Sequence, residues 1–82
     1  MLEELKRRID NFDGIHIFIK DKDKYIDELY INSIDINNIE LYYDKKTYTY
    51  NSFDLLINDK IFNGKSILDI KDNLYLDGDI YE

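Results

Sequence analysis

Between Gly14 and Tyr50 apolar and polar side chains alternate in several short runs separated by polar turns, a period of two that belongs to pleated strands rather than helices. Ile15, Ile17 and Ile19 form one face of a first strand, with His16 between them on the other. Asp21-Lys22-Asp23-Lys24 is a polar turn. Residues 25–36 are rich in strand formers, but Leu29 and Ile31 are out of phase with Ile34 and Ile36. A bulge or break near Asn32-Ser33 would absorb that slip. Asn37-Asn38 is a turn candidate because Asn tolerates positive φ. Ile39, Leu41 and Tyr43 then alternate with Glu40, Tyr42 and Asp44, Lys45-Lys46 is a weaker turn, and Thr47–Tyr50 is a short strand.

Helical spacing flanks this stretch. Leu2, Leu5, Ile9 and Phe12 predict an amphipathic helix over residues 2–11, with Glu3 and Glu4 in its first turn and Gly14 as a C-cap. After Tyr50, Asn51 or Ser52 can cap a helix whose apolar stripe is Phe53, Leu56 and Ile57. Asn63-Gly64 is a turn, and Ser66 with Asp69 forms a short capping box for a helical turn through Asp72. Leu74, Leu76 and Ile80 predict a last strand, which Asp77-Gly78 bends into a hairpin or bulge. The expected fold is α+β, a single domain over residues 1–82: an N-terminal helix, an antiparallel four-stranded meander, one or two short helices and a final short strand.

A chain of 82 residues buries only about 60–65% of the surface that its unfolded form exposes, so the core is thin and a deep substrate cleft has little room. There is no Cys, hence neither a disulfide framework nor a thiolate metal site, which favours an intracellular setting. The charged start Met1-Leu2-Glu3-Glu4-Leu5-Lys6 does not read as a signal peptide, and no apolar run reaches transmembrane length. A cytoplasmic location is expected. Ile, Asn, Lys and Tyr stand where other chains use Val, Gln, Arg and Ala, a skew that AT-rich coding explains.

The net charge of −7 repels nucleic acid and anionic membranes and favours a basic partner. It is unevenly spread: residues 21–44 carry −5 and residues 66–82 carry −4, whereas residues 45–65 carry +2.

Catalytic constellations fail one by one. His16 is the only histidine, and Ser33, Ser52 and Ser66 lie in no nucleophile-elbow context. Asp21-Lys22-Asp23 begins like a calcium loop, but Ile26 stands where Gly is needed and Asn32 where a bidentate Glu should be. Asn63-Gly64-Lys65-Ser66 has the end of a phosphate-binding loop, but Asp59 occupies its first Gly position. Neither an enzyme nor a cofactor is expected.

An acidic binding surface is the stronger reading. If Asn37-Asn38 turns, Asp35 faces Glu40 and Ser33 faces Tyr42. Opposed carboxylates weaken a hairpin, so their placement would suit a cationic partner better than folding. The candidate contact residues are Asp21, Asp23, Asp27, Glu28, Asp35, Glu40 and Asp44, with Tyr42 as an anchor. Alternate carboxylates on one strand repeat at roughly 6.6–7 Å, about twice the rise per nucleotide of a DNA strand, so such a row could imitate a phosphate track. Tyr43 and Tyr48 fall on the core side, and Tyr25, Tyr30, Tyr42, Tyr75 and Tyr81 are expected to be partly exposed, as interface tyrosines are.

The segment Tyr48–Ile67, with its S-F-x-x-L-L and I-F-x-G-K-S-[LI] phrases, resembles small uncharacterised proteins of phages and mobile elements in low-GC Gram-positive bacteria. The resemblance spans about a quarter of the chain and implies a mobile-element origin, without an activity. In size, acidity and lack of catalytic residues the chain is similar in kind to anti-CRISPR inhibitors. The expected function is therefore non-enzymatic: an inhibitor or nucleic-acid mimic that blocks a basic, nucleic-acid-binding host protein. The alternatives are an antitoxin or immunity-type partner of one protein, and a phage structural or assembly module. The chain is expected to be a monomer or homodimer.

Overall fold

The computed structural model describes residues 2–11, 14–22, 24–35 and 37–76. It is an α+β fold with one antiparallel sheet of five strands: β1 (Ile15–Asp21), β2 (Lys24–Asp35), β3 (Asn38–Tyr43), β4 (Lys46–Tyr50) and β5 (Leu74–Leu76). Their order is β4-β3-β2-β1-β5. The expected meander is therefore present, and the last strand returns to pair with β1, Ile17 opposite Leu76 and Ile19 opposite Leu74.

The helices cover one face of the sheet. Helix α1 (Leu2–Asp10) buries Leu5 and Ile9, and its polar side is tied by Arg7 and Arg8 to Glu4. Helix α2 (Phe53–Asn58) starts at Ser52, whose Oγ accepts the Leu55 N–H. Helix α3 (Ile67–Ile70) starts from the anticipated capping box and runs into a single 3-10 turn, Lys71–Asn73. The Asp69 carboxylate is held below its ordinary range, first by the Ser66 N–H and then by Lys60 and the Ser66 hydroxyl.

Beneath these helices lies the core: Ile15, Ile17 and Ile19 from β1, Leu29 and Ile31 from β2, Ile39 and Leu41 from β3, Leu74 and Leu76 from β5. Tyr43 and Tyr48 pack against it, as their parity requires.

Three local expectations are corrected. The expected slip in β2 is present, as a register shift between Ser33 and Asp35, but β3 begins at Asn38 instead of after it. Asp35 Oδ1 accepts the Asn37 N–H, which fixes the connection one residue earlier than the Asn-Asn reading. Asp35 thus pairs with Asn38, Glu40 with Asn32 and Tyr42 with Tyr30, so the opposed pair Asp35–Glu40 does not form. The β3–β4 turn is made by Asp44 and Lys45, both at positive φ, rather than by Lys45 and Lys46. Helix α1 ends at Asp10, four residues before the Gly14 expected to cap it. Gly64 does need its freedom: with φ 81° it follows Asn63 at 57° in the turn that joins Phe62 to Lys65. The Ile80 and Asp77-Gly78 readings lie outside the described residues.

Candidate functional site

The side of the sheet away from the helices carries no element among the described residues. Its composition follows from strand parity. On β1, His16, Phe18 and Lys20 alternate with the three buried isoleucines. On β2, Glu28, Tyr30 and Asn32 alternate with Leu29, Ile31 and Ser33. Asn38, Glu40 and Tyr42 do the same on β3, Thr47 and Thr49 on β4, and Tyr75 on β5.

Register turns these positions into an aromatic band that crosses four strands. Tyr75 pairs with Phe18, His16 with Tyr30, and Tyr30 with Tyr42. The His16 ring stacks on Tyr30, with centroids 4.2 Å apart and planes 12° from parallel, and tilts against Phe18 at 4.3 Å. Tyr25 meets Phe18 edge-on at 6.5 Å. Such pairs add roughly 0.5–1.5 kcal/mol each beyond their area burial when well packed. Tyr25, Tyr30, Tyr42 and Tyr75 nonetheless remain between 43% and 53% exposed, so much of this aromatic surface faces water.

Charge is placed within and around the band. Lys20 Nζ lies 5.1 Å from the Tyr75 ring centre and 5.6 Å from that of Phe18, so the rings already hold one cation. The Glu28 carboxylate comes within 3.2 Å of His16 Nε2. The Tyr25 hydroxyl is held above the ordinary tyrosine range, first by partial burial and then by the charges of Glu28 and Asp27. Glu40 sits between Asn32 and Thr49.

The structure brings some of the anticipated contact residues together and separates others. Glu28, Glu40 and Tyr42 share the open face, and Asp35, paired with Asn38, lies at its end. Asp27 pairs with Ile19 and points to the helical side, where it lines a cleft of about 200 Å³ with Tyr43, Phe62 and Lys65. There the Tyr43 hydroxyl is raised, by burial first and then by Asp27. Asp21 pairs with Lys24 beside the β1–β2 turn, and Asp44 lies in the β3–β4 turn, each next to a lysine. Asp23 lies outside the described residues. No strand carries a row of alternate carboxylates: the open-face positions read Glu-Tyr-Asn on β2 and Asn-Glu-Tyr on β3. The charge spacing proposed for a phosphate track is thus absent from both strands.

The partial exposure expected of Tyr25, Tyr30, Tyr42 and Tyr75 is present, but His16, Phe18 and Lys20 were not among the anticipated contact residues. One signal for them was present. Phe18 stands between Ile17 and Ile19, and Tyr30 between Leu29 and Ile31, so both faces of β1 and β2 are apolar in a chain too short to cover both.

Comparison with protein-family models, with curated proteins and with solved structures finds no match. Among the described residues no helix is long and apolar enough to cross a membrane. No group of three or more His, Cys, Asp or Glu that could hold a metal ion forms among them.

Proposed function

We propose that the chain is a non-enzymatic binding protein whose open sheet face takes a basic protein partner, acting as an inhibitor of a nucleic-acid-binding protein in the manner of anti-CRISPR proteins. The observation that carries this reading is the exposed aromatic band flanked by Glu28, Glu40 and Asp35. Tyrosine contributes much contact area at low entropic cost, and its ring face attracts Arg and Lys. Lys20 over Tyr75 and Phe18 is an internal example of the contact that a partner's Arg or Lys would make on Tyr30 and Tyr42. Aromatic sheet faces also stack nucleic-acid bases. A chain of net charge −7 would repel the accompanying phosphates, which favours the basic protein instead.

The test is affinity capture from host extract at low and high salt, with wild type and with two variants. Tyr30→Ala/Tyr42→Ala should abolish capture of the specific partner. Glu28→Gln/Glu40→Gln should weaken it mainly at low salt. Retention of an acidic partner, or of the same partner by all three proteins, would overturn the reading.

A further inference from the structure

The sheet has two rims of different character. At one lies β5, which spans Leu74–Leu76 among the described residues. At the other, β4 is a regular five-residue strand whose outer side pairs with no strand among the described residues. Natural edge strands are usually guarded by Pro, bulges, extreme shortness or inward-pointing charge. The β3–β4 register runs without a shift, β4 has no proline, and its one inward-pointing charge, Lys46, sits beside the turn and leaves Thr47–Tyr50 uncharged.

The turn sets which backbone groups face outward. Asp44 and Lys45, at φ 52° and 63°, form a two-residue hairpin loop closed by the pair Tyr43–Lys46. That closing pair is hydrogen-bonded, and the pattern alternates along the ladder. Lys46, Tyr48 and Tyr50 therefore spend their backbone groups on β3, while Thr47 and Thr49 direct theirs away from the sheet.

We infer that β4 pairs antiparallel with β4 of a second copy of this chain, about a two-fold axis at Tyr48, joining two sheets into one. In this register Thr47 and Thr49 of one copy exchange backbone hydrogen bonds with Thr49 and Thr47 of the other. Tyr48 meets its symmetry mate in the non-hydrogen-bonded position, where side chains approach most closely. Thr–Thr and aromatic pairs are favourable cross-strand partners, and no like charges are opposed.

Residues 45–65 carry +2 in a chain of −7, so this rim lacks the dense acidity of residues 21–44, and the charge attraction available to a second copy is a cross-pair of opposite sign. Each Lys46 falls opposite the other copy's Tyr50, on the helical side of the sheet. The Tyr50 hydroxyl donates to Asp59 at 2.8 Å, and both residues line a cleft of about 300 Å³ with Thr49, Asn51, Leu55 and Asn58. Asp59 is exposed, and its Oδ2 lies 2.8 Å from the Tyr50 hydroxyl, so a Lys46 placed opposite Tyr50 would meet it. The pairing thus forms two Lys46–Asp59 contacts. The pairing uses the rim and leaves the open face uncovered.

Sedimentation equilibrium over a wide concentration range tests it. The mass should rise from 9.9 kDa towards twice that value. Thr49→Pro removes only an outward donor, so it should keep the far-UV spectrum and stay monomeric, whereas Tyr48→Pro breaks the internal ladder. Lys46→Asp should weaken association about tenfold, and Lys46→Asp/Asp59→Lys should recover part of the loss. Independently of any variant, amide exchange at Thr47 and Thr49 should slow as the wild-type concentration rises. A monomer at millimolar concentration, or Thr47 and Thr49 amides that exchange equally fast at all concentrations, would overturn the pairing.

Discussion

Tyr50 holds its hydroxyl at the rim of the core, 7% exposed, where it donates to Asp59. Burial, followed by the Asp59 hydrogen bond and charge, pushes this phenol far above the ordinary tyrosine range. The folded state therefore keeps a proton that the unfolded chain releases near pH 10. This contribution is complete below that pH and is lost as pH rises above it. Tyr50→Phe should cost about 1 kcal/mol at neutral pH, since Asp59 is exposed and regains water. It should also flatten the alkaline limb of stability, read from urea melts between pH 8 and 11. At this scale the sequence was legible where the contact is local. Ser52 and the Ser66–Asp69 box bond to groups three residues away, so type and spacing suffice. Tyr50 and Asp59 are nine residues apart and meet only because α2 folds back beside β4, which no local pattern encodes.

Each strand's inward face was legible in its alternation, because a side chain's face depends only on its parity. Register was not, because it depends on which residues turn. Lys45-Lys46 is no better a turn by residue type than Asp44-Lys45, which makes it, and the Asp35 side chain displaces the Asn-Asn turn by accepting the Asn37 N–H. The acidic cross-strand pair was lost with that register. The Asp44-Lys45 turn places two non-glycine residues at positive φ, a conformation that costs such residues roughly 1 kcal/mol or more each. Replacing them by the preferred pair, Asp44→Asn/Lys45→Gly, should therefore stabilise the protein by about 1 kcal/mol without changing the fold. Thermal melts followed by far-UV circular dichroism check this. A loss of stability would mean that Asp44 or Lys45 makes a contact worth more than the backbone relief.

Across the whole molecule the two sides of the sheet are unequal in what they do for folding. Leu41 is fully buried, and Leu41→Ala should cost about 2–5 kcal/mol. Tyr30 and Tyr42 lie directly opposite each other on the open side yet stay 46% and 48% exposed. Tyr30→Ala/Tyr42→Ala should cost no more than about 2 kcal/mol by denaturant titration. A larger loss would make the aromatic band a structural feature rather than a surface free for recognition. The acidity that dominates the sequence proves less focused than its linear clustering suggested: its charges are divided among the open face, the helical side and the turns. The tyrosines, scattered along the chain, are the residues that the sheet gathers.

The pairing of β5 with β1 also bears on the order of assembly. Strands β1 to β4 are linked by short connections and can zip together from neighbouring hairpins. The outer rim of β1 must wait for residues 74–76, more than fifty positions away in the chain. On a ribosome the meander would thus emerge with Ile17 and Ile19 on an unfinished edge, closed only when the last strand arrives. If β5 docks after the rate-limiting step, as its long sequence separation suggests, Leu76→Ala should speed unfolding in stopped-flow experiments while leaving refolding nearly unchanged. The interval before that docking is when this chain is most open to pairing with a neighbour in the wrong place.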